Sequence, residues 1–115
     1  MQTELDLVIA DLVKFRDQRD WAQFHNSKDL ALAISIEASE LNELFLWKRP
    51  EQVSKKRIEE ELADVLVFAL LLAHKHGIDV TSMVKKKMRA NKKKYPVSLA
   101  KGNARKYTEL KNGHL

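Results

Sequence analysis

At 115 residues, 44% hydrophobic and 32% charged, the chain has the size and balance of one small soluble globular domain. It has no cysteine, which excludes disulfides and thiol chemistry, and no apolar run near the roughly 18–20 residues of a membrane span. The net charge of +5 hides a polarity: ten Lys/Arg and no acid lie between Lys85 and Lys106, leaving 11 basic against 16 acidic residues elsewhere. A basic segment of this kind suits nucleic acid, the phosphates of a small ligand, or plain solvation. The opening "MQTELDLVIADL" has no basic region before its apolar residues, which argues against a secretory signal. A cysteine-free chain without such a signal is expected in the cytoplasm.

Only three Gly and two Pro imply long regular elements. Thr3, with Asp6 three residues on, can cap a first helix whose Leu5, Val8, Ile9, Leu12 and Phe15 recur at helical spacing as far as about Asp20. "WAQFHNS" breaks the pattern, and Asn26 or Ser27 can cap a second helix over about 28–47. In that helix Leu30, Ile34, Ala38, Leu41 and Phe45 form one stripe. Pro50 stops it, and a third helix runs from about Ser54 to His76, where Gly77 is the stop signal. A fourth helix spans about Val80 to Lys94, started by Asp79 or Thr81 and ended by Pro96. The basic tail, 97–115, reads as mostly irregular and packed on the domain formed by 1–96, with "KYTEL" able to order against it.

The third helix contains "VLVFALLLA", apolar on every face, which its own neighbours in so short a chain cannot enclose. A second copy of the chain is the expected cover, giving an all-α, four-helix homodimer.

The chemistry concentrates in two acid pairs. Glu37 and Glu40, and likewise Glu61 and Asp64, stand three residues apart on consecutive helices, so each pair aims two carboxylates at one region. Antiparallel packing would gather all four. Such a set cannot stay ionised in a low dielectric without compensation, and oxygen ligands alone suit Mg²⁺, or Mn²⁺ in its place. Acid pairs also abound on solvated helices, but these lie beside core stripes. On the fourth helix Lys87, Asn91 and Lys94 share a face that could hold phosphate oxygens, or could be simply solvated. Trp21 and His25 in the first break, and Trp47 at the end of the second helix, offer planar surfaces for a nucleobase or plugs for the ends of a bundle. His74 and His76 face different ways and do not form a metal pair. With no glycine-rich phosphate loop and no nucleophilic triad, hydrolysis here would have to be metal-assisted.

These residues resemble a known family. "EASE" followed after 20 residues by "ELAD" is similar to the ExxE…ExxD signature of the MazG-like all-α nucleoside triphosphate pyrophosphohydrolases. "RDWAQFH", "ELNELFLWK", "EEELADVL", "RANKKKYPV" and "KGNARKYTEL" resemble, in order, the dCTP pyrophosphatase branch. The resemblance implies an intertwined helical homodimer or a tetramer built from two dimers. It implies Mg²⁺-dependent hydrolysis of a (d)NTP, dCTP or a relative, to monophosphate and pyrophosphate as nucleotide-pool house-cleaning. Glu37, Glu40, Glu61 and Asp64 fall on its metal-ligand positions. Trp21 and Trp47 fall on base-pocket aromatics with His25 nearby, and Asn91, Lys87, Lys94 and Tyr95 on the ligand-binding end of the last helix. Phe68, one turn after Asp64, stands where relatives can carry a tyrosine, which leaves the substrate preference open. Two rivals remain: a non-enzymatic helical module that binds nucleic acid or a protein through residues 85–106, and an inactive relative serving as a scaffold.

Overall fold

The computed structural model describes residues 1–112, and their regular elements are all helical. Four long helices, α1 (Glu4–Gln18), α2 (Ser27–Glu43), α3 (Lys55–Lys75) and α4 (Val80–Lys94), precede two short ones, α5 (Val97–Ala100) and α6 (Tyr107–Asn112). Single 3₁₀ turns, Ala22–Phe24 and Pro50–Gln52, fill the first two connections. The chain divides into two compact units, one from Met1 to Ile78 and one from Asp79 onward.

Each long helix begins where a short polar side chain can accept a hydrogen bond from a free backbone N–H. Thr3 and Asp6 form a reciprocal capping box, with Asp6 N donating to Thr3 Oγ1 at 3.1 Å and Thr3 N to Asp6 Oδ2 at 3.0 Å. Asn26 accepts from Asp29 N at 2.8 Å, Ser54 from Arg57 N at 3.3 Å, and Asp79 from Ser82 N at 3.0 Å.

The ends of α1 and α3 depend on left-handed residues. Gly77, at φ +63°, stops α3; Gly77 N donates to His74 O at 3.0 Å and Ile78 N to Ala73 O at 2.9 Å, which satisfies two terminal carbonyls. Asp20, at φ +53°, does the same for α1, its short polar side chain tolerating a conformation usually left to glycine. Trp21 N then donates to Arg16 O at 3.1 Å, so the stop itself orients the start of the next segment.

Two expectations need correcting. The second helix ends at Glu43 instead of running to residue 47. Beyond it Leu44, Phe45 and Leu46 N donate three residues back, to Leu41, Asn42 and Glu43 O, and Trp47 turns to φ +61°. The apolar stripe continues through Leu44 and Phe45, so hydrophobic period alone could not mark the tightening of the backbone. The segment from Val97, read as mostly irregular, contains α5 and α6, while residues 113–115 lie outside the described residues.

In the first unit α2 and α3 are the principal packing pair, with α1 also against α3. Leu30 on α2 and Leu71 and Ala73 on α3 are buried. Ser27 Oγ and His76 Nε2 lie 2.8 Å apart in a hydrogen bond that joins the start of α2 to the end of α3, so the two helices run antiparallel. The apolar α3 is not enclosed within one chain: Leu62 remains 43% exposed and Leu66 51%. No single helix among the described residues is long and apolar enough to cross a membrane.

A Cβ built on Gly77 meets nothing within 4 Å, so Gly77→Ala costs backbone strain and no clash. We expect a loss of about 1–2 kcal/mol, read as a fall in Tm of several degrees at fixed protein concentration.

Candidate metal centre and adjoining cavity

The antiparallel packing of α2 and α3 turns two sequence patterns into one site. One carboxylate oxygen each from Glu37, Glu61 and Asp64 lies within 4.8 Å of the others. Glu37 and Glu61 are half-buried, and Asp64 is exposed. Glu37 Oε2 and Glu61 Oε2 are buried without any hydrogen-bond partner, an arrangement that proteins rarely leave uncompensated.

The electrostatics report the crowding. Hydrogen bonding to Glu40 is the largest influence on the Glu37 carboxyl, followed by desolvation and the charges of Glu40, Asp64 and Glu61; together they push its pKa up to about 7. Desolvation raises Glu61 too, reinforced by Glu40 and Asp64, with the Arg57 guanidinium pulling the other way. A hard divalent cation fits this donor set: oxygen ligands only, like charges drawn together, and two buried oxygens without a partner.

Of the four expected carboxylates, three converge. Glu40 acts on Glu37 and Glu61 by hydrogen bonding and charge, while the oxygens that lie within 4.8 Å of one another are those of Glu37, Glu61 and Asp64. Glu40 lines a neighbouring polar cleft of about 320 Å³ with Glu43, Leu44, Lys48, Arg57 and Glu61.

On the Asp64 side opens a largely apolar cavity of about 580 Å³. Trp21, His25 and Phe68 line it together with Val8, Leu12, Phe15 and Asp64. Trp21 meets Phe15 edge-on with centroids 5.8 Å apart, and His25 meets Phe68 likewise at 6.4 Å. The Arg19 guanidinium lies 3.7 Å from the Phe15 ring centroid and 6.0 Å from that of Trp21. Burial and, secondarily, Arg16 lower the His25 pKa, so its imidazole is neutral at pH 7; its buried Nδ1 has no partner. Such a nitrogen can donate to a ligand or accept from one.

Trp47 does not join Trp21. It is 93% exposed and borders a separate surface depression with Ser39, Asn42, Glu43, Phe45 and Leu46. The early end of α2 explains the displacement, because Trp47 leaves on a left-handed turn and not on the helical stripe. In the second unit Lys87 and Asn91 border an apolar depression with Met83, Val84 and Met88. Lys94 Nζ lies 4.8 Å from the Tyr107 ring centroid, and Tyr95 meets Tyr107 edge-on at 6.4 Å. Phe15, Arg16 and Asp11, all cavity-lining, escaped the sequence reading because Phe15 belonged to a core stripe and the polar pair matched no motif.

Antiparallel helices that bring a carboxylate cluster beside an aromatic cavity, with Asp64 in both, define an all-α protein with a candidate metal centre. The MazG-like family model matches residues 32–110, and the chain belongs to that family. Over 108 residues it is 41% identical to human dCTP pyrophosphatase 1, covering 87% of this chain and 64% of that one. The bovine protein of the same name is 39% identical over the same length and with the same coverage. The chain thus spans just under two thirds of the length of these curated relatives. Among solved structures, a pyrophosphatase from Archaeoglobus fulgidus superimposes with a TM-score of 0.78 at 39% identity, over 84% of this chain and 95% of that one.

The raised Glu37 pKa sets a pH dependence. Its folded value lies above the unfolded one, so its contribution to stability is full below about 4.5 and is lost as pH rises through about 7. Metal-free protein should therefore lose Tm across that window, and Glu37→Gln should flatten the loss. Because a metal must displace the proton, the Tm gain from Mg²⁺ should be larger at pH 8 than at pH 6.

Proposed function

We propose that this protein is an Mg²⁺-dependent nucleoside triphosphate pyrophosphohydrolase that cleaves dNTPs, dCTP or a close relative foremost, to dNMP and pyrophosphate. One observation carries the reading: Asp64 belongs both to the carboxylate centre and to the wall of the aromatic cavity, so a ligand in that cavity has its polar end at the centre. The names of the relatives, dCTP pyrophosphatase 1 and a pyrophosphatase, support the same reaction class.

Glu37, Glu61 and Asp64, together with Glu40, would hold the metal. Bound there, Mg²⁺ would offset charge on the triphosphate and make a coordinated water more acidic. Water is added across the α–β phosphoanhydride, one fragment leaving as monophosphate and the other as pyrophosphate. Trp21, Phe68 and neutral His25 receive the base, the rings by stacking and edge contact and the imidazole by a hydrogen bond. An apolar wall also keeps bulk water from the base and strengthens each polar contact at the rim.

Lys87, Asn91, Lys94 and Tyr95 are assigned to phosphate or sugar contacts on the strength of their resemblance to the family's ligand-binding residues. The same reading gives Trp47 a place over the base only through a homodimer or homotetramer. Half-exposed apolar residues on α1, α2 and α3 support such an assembly. The cytoplasm, where deoxynucleotides are made and used, is the proposed location.

The test is pyrophosphate release from each of the four dNTPs and four NTPs, with Mg²⁺ and with EDTA. We expect metal-dependent release that favours dCTP and falls by about 100-fold or more in Glu61→Ala. No release from any nucleotide would overturn the proposal. Trp21→Ala should raise KM by roughly 10- to 100-fold, the worth of one stacked base, while leaving the Mg²⁺-induced rise in Tm unchanged.

A further inference from the structure

The carboxylate centre has a second neighbour besides the aromatic cavity. The polar cleft of about 320 Å³ shares Glu61 with the centre and includes Glu40, whose carboxyl acts on Glu37; Lys48 and Arg57 line it as well. Cleft and cavity have no lining residue in common. They approach each other through Glu61 and Asp64, which stand three apart on α3 and bring ligand oxygens together.

Neither cation is held in a close ion pair among the described residues, although Arg57 acts on the Glu61 carboxyl through its charge. Among the described residues, neither Lys48 nor Arg57 forms an ion pair within 4.0 Å, although Glu40, Glu43 and Glu61 line the same cleft. Arg57 sits one turn before Glu61, on the same face of α3. Lys48 follows the left-handed Trp47 in the turn beyond α2. Helix α3 and the turn beyond α2 thus deliver one positive charge each to a single recess.

We propose that this cleft is the subsite for the departing diphosphate, with Arg57 and Lys48 as its binding residues. The inference rests on the pyrophosphohydrolase reading and adds a direction to it. The base lies on the Asp64 side, the scissile phosphate at the carboxylates, and the β- and γ-phosphates extend past Glu61 toward Arg57. A guanidinium suits this task because its fork of N–H donors matches two phosphate oxygens at once. Charge makes the subsite conditional. With three carboxylates against two cations the bare cleft repels a diphosphate, and divalent cations on the shared acids reverse that balance. Pyrophosphate therefore binds after metal, and its release frees the cleft for the next substrate.

The experiment is calorimetric titration of inorganic pyrophosphate into the wild type, Arg57→Ala, Arg57→Lys and Lys48→Ala, with Mg²⁺ and with EDTA. The nucleoside monophosphate of the best substrate is titrated in parallel. We expect wild-type binding with Mg²⁺ only, and Kd raised about tenfold or more in each alanine variant, the loss of one charge-assisted contact. Arg57→Lys should recover part of the affinity, while monophosphate binding and the Mg²⁺-induced rise in Tm stay as in the wild type. Unchanged pyrophosphate affinity in both alanine variants would overturn the subsite. So would an equal loss of pyrophosphate and monophosphate binding, which would make these residues structural supports of the centre. Wild-type turnover measured alongside separates the two levels. Turnover with unaffected alanine variants sinks the subsite alone, whereas no turnover from any nucleotide sinks the enzyme reading and the subsite with it.

Discussion

Three carboxylates that share a space less than 5 Å across repel one another, and that repulsion is the constraint the first unit is arranged around. At a separation of about 4 Å two unit charges differ by several kcal/mol between a water-like and a protein-like dielectric. A flexible segment would relieve the cost by moving its acids apart. Here the acids sit in the middle of α2 and α3, whose ends are capped and whose separation is fixed by packing around Leu30, Leu71 and Ala73. The Ser27–His76 hydrogen bond pins the pair at the end remote from the Glu40 cleft. Unable to part, the acids respond by holding a proton, as the Glu37 pKa of about 7 indicates. A cation is the other way to relieve the same stress, so the rigidity that costs stability also prepares the site to bind metal.

Around that cluster the environment is divided. One side presents Trp21, Phe15 and Phe68 with a neutral imidazole; the other presents Arg57 and Lys48 among acids. A nucleotide has the same division along its length, a planar weakly polar base at one end and concentrated charge at the other. On the proposed function, the order of surfaces across α2 and α3 would carry recognition as well as chemistry. Desolvation at the apolar side strengthens the electrostatic contacts at the rim, where Asp64 stands.

Much of this was legible in the sequence because the governing rules are local. Thr3, Asn26, Ser54, Asp79 and Gly77 each act within one turn of their own position, so capping residues marked the helices closely. The ExxE and ExxD spacings, combined with short connections, were enough to bring Glu37, Glu61 and Asp64 together. What stayed hidden depended on tertiary placement or on backbone angles that ordinary residues rarely adopt. Asp20 and Trp47 take positive φ without being glycine, and the second of these ended α2 early and separated Trp47 from Trp21. Phe15 lay on a helical stripe that reads as core, although its ring lines a cavity. Lys48 and Arg57 belonged to no motif, since only the antiparallel return of α3 brings them to one recess.

Two sets among the exposed apolar residues of the first unit have different explanations. Val8, Phe15 and Trp21 line the cavity, where the proposed ligand would cover them. Leu32, Ile36, Leu62 and Leu66 line neither the cavity nor the cleft, yet each remains about half exposed. Leaving half of such a side chain in water forgoes roughly 1 kcal/mol, so these four together forgo an amount comparable to a sizeable part of a small domain's stability. Ile36 and Leu62 each neighbour a metal-site carboxylate in sequence, Glu37 and Glu61. A surface that covered them and reached the adjoining turn would also dry the outer side of those acids and tighten their demand for a cation. Association of two chains and completion of the metal centre would then be one event, with the apolar face supplying the free energy that holds the charged groups in place.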